Sequence, residues 1–578
     1  MKKRKNIIIL LFILVIGGIF RWSGLNWDQN FHLHPDERFL TMVGVKSQLP
    51  SNIFQYLDPQ QSLLNPYNID FDFYVYGHLP LTFNKVIAVL TNNDSYSSFH
   101  LQARFISGLL DLLTVIVIFK IGELLEKKFK LNPLMKIASS LVYALLVVPI
   151  QQSHYFTVDS FLSFFSFLSF YFALKYQNNS DFKHLVASAI TFAFALSSKL
   201  TAILILPLLF WLIINANNRA VNLLFSKKIN HSFFKKILKL LFEIAQFLFF
   251  SYLLIRIIDP YLFESSIWLN PSLSRQFLQN LKSLKGSEGT HVWYPPAIQW
   301  IKTKPIIFAL KNIFFFGLGP VISLLGLFGL IKIFQKIPKK IKAFIKKPGF
   351  NLLIVLVWLM IYFVYQSTRF VKTIRYFYPV YPFFALIAGY GLTKLIKAIK
   401  PQFKTLATLI LLGLIVVWPL SFLSIYLTTN PRVKASHWIY QHIPEERILL
   451  KEHWDDGLPL PISQYGKKYQ QLELPVFDPD RKKKWDKMDK LLEKGDYYIL
   501  SSARAWEPIS SVPEKYPQMS TFYQNLLTNK TAYKKVAEFT SYPSLDYLGI
   551  PLTFNDDWAE EAFTVYDHPK VIILQKQK

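Results

Sequence analysis

Residues 405–427 read TLATLILLGLIVVWPLSFLSIYL, an apolar stretch without one charged side chain. Roughly 20 such residues in a helix cross the hydrocarbon core of a bilayer. Comparable stretches recur along the preceding sequence, so we predict an α-helical polytopic membrane protein with about eleven transmembrane helices. The predicted spans are 6–20, 104–121, 134–150, 155–174, 184–198, 200–216, 237–258, 305–331, 350–366, 374–393 and 405–427.

The composition agrees with this class of protein. Hydrophobic residues make up 52% of the 578 residues, and the mean hydropathy of +0.25 is too apolar for an ordinary soluble domain. Cysteine is absent, which excludes disulfides, cysteine metal sites and a thiol nucleophile. The first apolar segment follows the basic residues 2–5, but Arg21-Trp22 offers no small-residue cleavage site, so we expect an uncleaved signal anchor.

Basic residues concentrate in alternate loops between the predicted spans. Residues 428–578 carry 21 Lys+Arg and 21 Asp+Glu, so the formal charge of +28 lies entirely in the first 427 residues. Basic loops usually face the cytoplasm, which places the N-terminus inside and the C-terminal tail outside. Nucleic-acid binding would also explain a basic chain, but the alternation with apolar spans argues against it. The basic loops are 2–5, 120–136, 227–236, 332–347 and 394–404.

The chain divides into two predicted parts. Residues 1–427 form the transmembrane part, with long outer loops at 21–103 and 259–304. Residues 428–578 are numerous enough for one soluble extracytoplasmic domain, and their pattern indicates a small α/β fold. Within it we predict strands at 448–450, 497–500 and 571–574 and helices at 432–442 and 484–494.

Residues 34–37, His-Pro-Asp-Glu, place two adjacent carboxylates in the first outer loop. A carboxylate such as Asp36 can take the proton from an acceptor hydroxyl as that hydroxyl attacks a sugar carbon. Glu37 beside it can orient the loop or tune the first carboxylate. The alternative interpretation is structural, because acidic residues are favoured in the first turn of a helix, at its positive dipole end.

Charged residues also occur at the outer ends of the spans, where the charge bias does not place basic groups. Arg104 opens the second span, Lys199 interrupts an apolar run and Arg375 opens the tenth span. Charges within apolar segments usually face a partner or a pocket, although each of these could snorkel to the interface. Together they describe a site for a phosphate leaving group beside a base. Asp159 either caps the fourth span with His154 nearby or serves the same pocket.

The acid pair and the basic residues that follow it along the chain resemble motifs of the GT-C superfamily of glycosyltransferases. Within it they resemble the bacterial enzymes similar to dolichyl-phosphate-mannose protein mannosyltransferases (family 39). The acid pair in 34–37 after a first span resembles the acidic signature of these enzymes. Further matching segments are 153–159, Ser198-Lys199-Leu200-Thr201 ahead of Pro207, Arg375-Tyr376 followed by Pro379 and Pro382, and the tail segments 453–456 and 567–570.

The resemblance implies an inverting glycosyltransferase that takes a sugar from a polyprenyl-phosphate donor. The acceptor would be a glycan, lipid or protein outside the cytoplasmic membrane. Asp36 would be the base, with Glu37 beside it. Leu200 departs from the aromatic residue or Gly that many members have after the lysine, which puts the carrier pocket in doubt. The implied substrate- and phosphate-binding residues are Arg104, Asp159, Lys199, Arg375 and Tyr376, and the implied pocket residues are His34 and His154.

No cofactor or metal is predicted, because the family generally needs none. His32 and His34 near Asp36 leave a divalent ion as an alternative, since imidazole and carboxylate groups are suitable ligands. The His-Trp-Asp-Asp segment at 453–456 could also suggest a metal site, but we interpret it as a turn after a strand.

A multi-pass transporter and a non-catalytic scaffold of the cell envelope are the alternative functions. A transporter built from inverted repeats would show matching broken helices in its two halves, and the sequence has no such repeat. A scaffold would explain an outer domain, but not acids that face bases at the outer ends of the spans.

Overall fold

The computed structural model describes residues 2–216, 231–289, 295–336 and 349–577. Most of the predicted basic loop 332–347 lies outside the described residues. The same holds for positions 227–230 of one other basic loop and for positions 290–294 of the second outer loop.

The described chain is mostly helical, with one five-stranded sheet near its C-terminus. The helices before the sheet are α1 (Lys2–Trp22), α2 (Pro35–Lys46), α3 (Ile53–Leu57), α4 (Leu79–Leu90), α5 (Tyr96–Phe129), α6 (Met135–Ala144), α7 (Val147–Ser153), α8 (Asp159–Asn179), α9 (Phe182–Leu196), α10 (Leu206–Ile214), α11 (His231–Ile258), α12 (Arg275–Gly286), α13 (Ile307–Asn312), α14 (Pro320–Phe334), α15 (Gly349–Thr368), α16 (Tyr381–Ala398) and α17 (Pro401–Leu427). Short 3₁₀ turns lie at Pro66–Ile69, Leu200–Ile205, Pro260–Leu262, Pro295–Trp300 and Ile374–Val380, and a π-helical turn lies at Ile313–Gly317.

Several of these helices could span a membrane. Among the described residues, six helical stretches are long and apolar enough, or eight if each of two bent pairs counts as one span. The bent pairs are α6 with α7, at 52°, and Ile307–Gly317 with α14, at 117°. The chain is therefore a multi-pass membrane protein. The six stretches are Arg4–Trp22, Tyr96–Phe129, Phe233–Ile258, Asn351–Thr368, Ile374–Ala398 and Pro401–His442.

This number is smaller than the eleven spans predicted, although each predicted segment does contain helix. The three segments that account for the difference are 155–174, 184–198 and 200–216. The helix in the first, α8, is rich in serine and ends in polar residues, which lowers its hydropathy. The helices in the other two, Phe182–Leu196 and Leu200–Ile214, are apolar but too short by this measure.

The C-terminal part carries the mixed sheet. Its strands are β1 (Ile448–Glu452), β2 (Gln470–Leu474), β3 (Tyr497–Leu500), β4 (Tyr533–Phe539) and β5 (Val571–Lys576), in the order β2-β1-β3-β5-β4. β1 is parallel to β2 and β3, whereas β5 is antiparallel to β3 and β4. The helices here are α18 (Pro431–His442), α19 (Lys482–Lys494), α20 (Trp506–Ser511), α21 (Pro517–Leu527) and α22 (Glu561–Thr564), with a 3₁₀ turn at Asp546–Leu548.

The three strands predicted from the sequence are the three central strands, β1, β3 and β5, and the two predicted helices are α18 and α19. The two edge strands were not predicted. Polar residues interrupt both strands, Gln470, Gln471 and Glu473 in β2 and Lys534, Lys535 and Glu538 in β4, so these strands lack the continuous apolar run that reveals a buried strand.

The first outer loop folds back onto the helices at one point that matters for the site. The backbone N–H of Gly77 donates to Ser198 O at 3.1 Å, and that of Leu79 donates to Ser197 O at 3.0 Å. A Cβ at Gly77 would lie 2.1 Å from Ser197 O, so only glycine allows this approach. The contact fixes the turn that presents Lys199.

Part of the C-terminal tail packs into the helices of the membrane part. Asp567 Oδ2 accepts hydrogen bonds from Tyr155, Tyr426 and Gln151 at 2.7, 2.8 and 3.1 Å. Glu560 accepts from the Thr373 hydroxyl at 2.5 Å and from the Ile374 N–H at 3.0 Å. The tail therefore lies directly against the region from which Arg375 emerges.

Candidate active site

Asp36 lies in the first turn of α2, and the local sequence explains why the helix begins there. The ring of His34 caps the helix, with its Nδ1 accepting from the Glu37 N–H at 3.4 Å, and Pro35 occupies the first helical position. Burial lowers the pKa of His34 to about 3, so the imidazole is neutral and Nδ1 is free to accept. The structural interpretation of the acid pair is therefore correct as a description of the helix start. At this helix start, the Asp36 carboxylate faces the neighbouring helices.

Four charged side chains from distant parts of the sequence form a continuous row, which we call the ion-pair chain: Asp36, Arg375, Asp159 and Lys199. Arg375 Nη1 donates to Asp36 Oδ2 at 2.7 Å, and Arg375 Nε donates to Asp159 Oδ2 at 2.7 Å. Lys199 Nζ donates to Asp159 Oδ1 at 2.8 Å. Asp159 is the first residue of α8 and bridges the two basic groups, so it belongs to the same site as both of them.

The ion-pair chain is partly accessible to solvent, and we call the accessible space beside Asp36, Arg375 and Lys199 the cleft. The Asp36 side chain is 33% exposed, and those of Arg375 and Lys199 are each 17% exposed, whereas Asp159 is only 2% exposed. A ligand can thus reach one carboxylate and two cations. Burial is the largest single effect and raises the pKa of Asp36, but the charge and hydrogen bond of Arg375, together with a contribution from His34, outweigh it. The pKa of Asp36 therefore lies below its usual value, and the carboxylate is ionised at neutral pH.

Tyr376 supports the basic end of the ion-pair chain. The Lys199 ammonium lies 5.0 Å from the centre of the Tyr376 ring, within the range of a cation–π contact. The backbone carbonyl of Tyr376 accepts from the Tyr362 hydroxyl at 2.8 Å, which fixes its position.

Glu37 and Arg104 form a neighbouring cluster that is completely buried. Arg104 Nε donates to Glu37 Oε2 at 2.8 Å, and Arg104 Nη2 also contacts Glu37 Oε1. The same guanidinium binds Asp28 Oδ2 at 2.8 Å and the Leu25 carbonyl, and Glu37 accepts from the Phe156 N–H at 2.6 Å. All three charged side chains are 0% exposed, so the structure does not bring Arg104 to the open cleft.

Replacement of Glu37 by Gln is expected to destabilise the protein more than it alters the chemistry. The neutral amide loses the charge-assisted bonds to Arg104, which are worth about 1.5–3 kcal/mol, while Asp28 still pairs with the guanidinium. The measurement is thermal unfolding in detergent. Glu538→Gln, at a surface pair with Lys535, is the matched control and should change stability by less than about 0.5 kcal/mol. Equal melting temperatures for the two variants would show that the buried cluster does not stabilise the loop.

The two histidines predicted to lie at the pocket are packed by aromatic rings. His34 lies between Tyr155 and Tyr566, with ring centres 4.5 and 4.3 Å away. His154 stacks on Tyr426 at 3.6 Å, and its two ring nitrogens lie 2.9 Å from the carbonyl oxygens of Ile150 and Ser23, to one of which a neutral imidazole donates. His34 therefore forms part of the wall beside Asp36, whereas His154 holds helices together.

Sequence reasoning did not identify two residues near the site. Asp28 completes the Arg104 cluster, and its place in the predicted outer loop 21–103 was the only available signal. Tyr566 comes from the far end of the chain and covers His34. The tail contributes one more contact, since Arg38 of α2 donates to Asp456 at 2.9 Å.

The possible metal ligands pair with other groups. His453 Nδ1 lies 2.6 Å from Glu473 Oε1, and Asp455 accepts from Arg432 at 2.9 Å. The rings of His32 and His100 pack together, 4.2 Å apart. Within the described ranges, no three His, Asp or Glu side chains are arranged to hold a metal ion.

Fold and site together define a multi-pass membrane protein in which one partly exposed carboxylate and two partly exposed cations meet. Residues 96–255 match the family model described as dolichyl-phosphate-mannose-protein mannosyltransferase. The match includes Arg104, Asp159 and Lys199, and over this part of the chain it confirms the predicted resemblance. No curated protein matches the chain.

The solved structures that match this chain include the archaeal oligosaccharyltransferase AglB from Archaeoglobus fulgidus, in complex with an inhibitory peptide and a dolichol-phosphate. The TM-score is 0.48 and the identity 14%, over 96% of this chain and 75% of that chain. ArnT from Cupriavidus metallidurans in the apo state gives a TM-score of 0.45 and 12% identity, over 99% and 98% of the two chains. ArnT bound to undecaprenyl phosphate gives 0.41 and 12%, over 98% of each.

Proposed function

We propose that this protein is a GT-C glycosyltransferase that transfers a sugar from a polyprenyl-phosphate donor to an acceptor hydroxyl. The observation that carries the proposal is the ion-pair chain, in which an accessible carboxylate lies 2.7 Å from a guanidinium that a phosphate could also bind. The family match over residues 96–255 supports it, because that segment includes Asp159 and Lys199.

The reaction needs one base and one anion site, and the cleft offers both. The acceptor hydroxyl gives its proton to Asp36 while its oxygen bonds to the anomeric carbon of the donor sugar. The bond from that carbon to the phosphate oxygen breaks, and its electron pair leaves with the polyprenyl phosphate. Attack on the face opposite the leaving group inverts the configuration. Arg375 and Lys199 neutralise the charge that grows on the leaving phosphate.

Arg375 also affects the basicity of Asp36, because it binds that carboxylate directly. While it pairs with Asp36, it holds the pKa of that carboxyl below its usual value. A donor phosphate that draws the guanidinium away would raise the pKa of Asp36 and so make it a better proton acceptor. Donor binding would thus activate the base. Asp159 orients both cations, and the buried Glu37–Arg104 cluster positions the start of α2.

We place the cleft and residues 428–578 on the external side of the cytoplasmic membrane, with residues 1–427 as the transmembrane catalytic part. The support is the charge bias of the basic loops. An epitope appended to the C-terminus should be removed by protease added to intact spheroplasts. The same epitope inserted in the loop 332–347 should be protected. The reverse pattern would invert the topology and remove Asp36 from the external side.

Comparison of cell-envelope glycans, lipids and glycoproteins by mass spectrometry, with and without the gene, tests the function. We expect one hexose or pentose modification to disappear on deletion and to return with the wild-type gene but not with Asp36→Asn. A transporter would instead move a solute across liposomes that contain no polyprenyl-phosphate sugar. Unchanged glycans together with such transport would contradict the proposal.

A further inference from the structure

A large apolar cavity lies far from the ion-pair chain, between the ends of several membrane helices. Its volume is about 450 Å³, a size typical of ligand sites. Its walls come mainly from α5, α6, α8, α15 and α16. The apolar lining includes Leu124, Phe170, Leu212, Leu356, Phe383 and Leu386.

The cavity lies at the opposite end of the helices from the candidate active site. Asp159 is the first residue of α8, whereas Gln177, which lines the cavity, lies near its end. At 1.5 Å per residue, the two positions are about 27 Å apart along the helix. In α5, Arg104 is near the start and Lys128 near the end. The distance approaches the thickness of a bilayer core.

Hydrogen-bond donors without acidic partners are found among the lining residues. Within the described ranges, Lys128 Nζ donates only to amide oxygens, those of Gln177 at 3.3 Å and Asn178 at 2.9 Å. Among the described residues, the Nε2 of Gln177 and the hydroxyl of Tyr390 have no hydrogen-bond partner, and the two residues are only 3% and 5% exposed. Lys336 lies 5.6 Å from the centre of the Tyr390 ring. None of the described lining residues is Asp or Glu.

Buried donors without a partner are costly, and a ligand with acceptor oxygens would satisfy them. The two lysines favour an anionic ligand, and the apolar walls favour hydrocarbon chains. Basic pockets between membrane helices bind the head groups of anionic lipids. We propose that this cavity binds an anionic glycerophospholipid, with its phosphate near Lys128, Gln177 and Lys336 and its acyl chains against the leucine and phenylalanine side chains. The proposal is independent of glycosyl transfer.

The test uses the full chain, purified in a neutral detergent and depleted of lipid. Phosphatidylglycerol, phosphatidylcholine, undecaprenyl phosphate or inorganic phosphate is then added, and bound ligand is counted by native mass spectrometry. Phosphatidylglycerol should bind most tightly. A lysine near the lipid phosphate contributes about five-fold in affinity, so the Lys128→Gln/Lys336→Gln variant should bind about 25-fold more weakly. Leu356→Trp, which fills the cavity, should also reduce binding.

Lys332→Gln is the matched control, because Lys332 lies one turn before Lys336, bonds to Gln335 and does not line the cavity. It should bind lipid like the wild type. Equal binding of phosphatidylglycerol and phosphatidylcholine would overturn the proposal, as would equal binding by the double variant and the control. Preference for undecaprenyl phosphate would assign the cavity to the carrier instead. If inorganic phosphate at the same concentration displaces phosphatidylglycerol, the cavity is an anion site that does not recognise lipid, which would also overturn the proposal. If the double variant does not fold, the Leu356→Trp variant and the comparison of the four ligands still test the proposal.

Discussion

Asp36→Asn is expected to lower the rate of sugar transfer by about 10²–10⁴-fold, the usual cost of losing a general base. The amide keeps the size of the side chain and can still accept a hydrogen bond from Arg375, but it cannot take up the acceptor proton. The helix start should persist, because His34 and Pro35 fix it. The measurement is sugar transfer by the purified variant in nanodiscs, with donor binding measured separately.

Asp70→Asn is the matched control for this variant. Asp70 lies in the same outer loop and pairs with Lys46, the last residue of α2, but its side chain is 88% exposed. Its replacement should leave the transfer rate within about two-fold, since surface pairs of this kind contribute little. Wild-type turnover by Asp36→Asn would eliminate Asp36 as the base. Loss of activity in both variants would instead indicate that substitutions in this loop disturb its fold, so that the loss in Asp36→Asn would not report on proton transfer.

Arg375→Met is expected to lower kcat by about 10²–10³-fold, because removal of one donor to a developing oxyanion has a cost of this size. It also removes the cation that lowers the pKa of Asp36. Burial then raises the pKa of Asp36 with much less opposition, so the acid limb of the pH–rate profile should move to higher pH. Lys199→Met should mainly raise the KM for the donor, since Lys199 does not contact Asp36.

Arg369→Met is the control, since Arg369 precedes the same span and pairs with Glu288. Its kinetics and pH profile should match those of the wild type. A purely structural role of Arg375 would lower activity without displacing the acid limb. An unchanged limb would therefore refute the coupling between the carrier site and the base, even if activity falls.

The sequence predicts those features that depend on local pattern. The continuous apolar runs at 497–500 and 571–574 mark central strands. The edge strands contain polar residues that interrupt any apolar run, so they give no comparable signal. The span count is less well predicted, because helices such as α9 are apolar but shorter than a bilayer is thick.

The local sequence pattern does not predict which charged side chains pair with one another at the site. Arg104 and Arg375 have the same sequence signal, a basic group at the outer end of an apolar segment. Only the tertiary fold shows that Arg104 is enclosed by Glu37 and Asp28, while the partly exposed Arg375 joins Asp36 to Asp159. The role of the tail was hidden for the same reason, because Tyr566 reaches His34 only after the chain returns to the membrane helices.

The central claim is that the cleft beside Asp36 cleaves the bond between a sugar and a polyprenyl phosphate. The most direct measurement is the release of polyprenyl phosphate by the purified chain in nanodiscs, supplied with polyprenyl-phosphate hexoses and pentoses and an envelope extract as acceptor. We predict one polyprenyl phosphate released for each sugar transferred, and release about 10²–10⁴-fold slower by Asp36→Asn. Release at the wild-type rate by that variant, or no release by the wild-type chain with any donor, would contradict the claim.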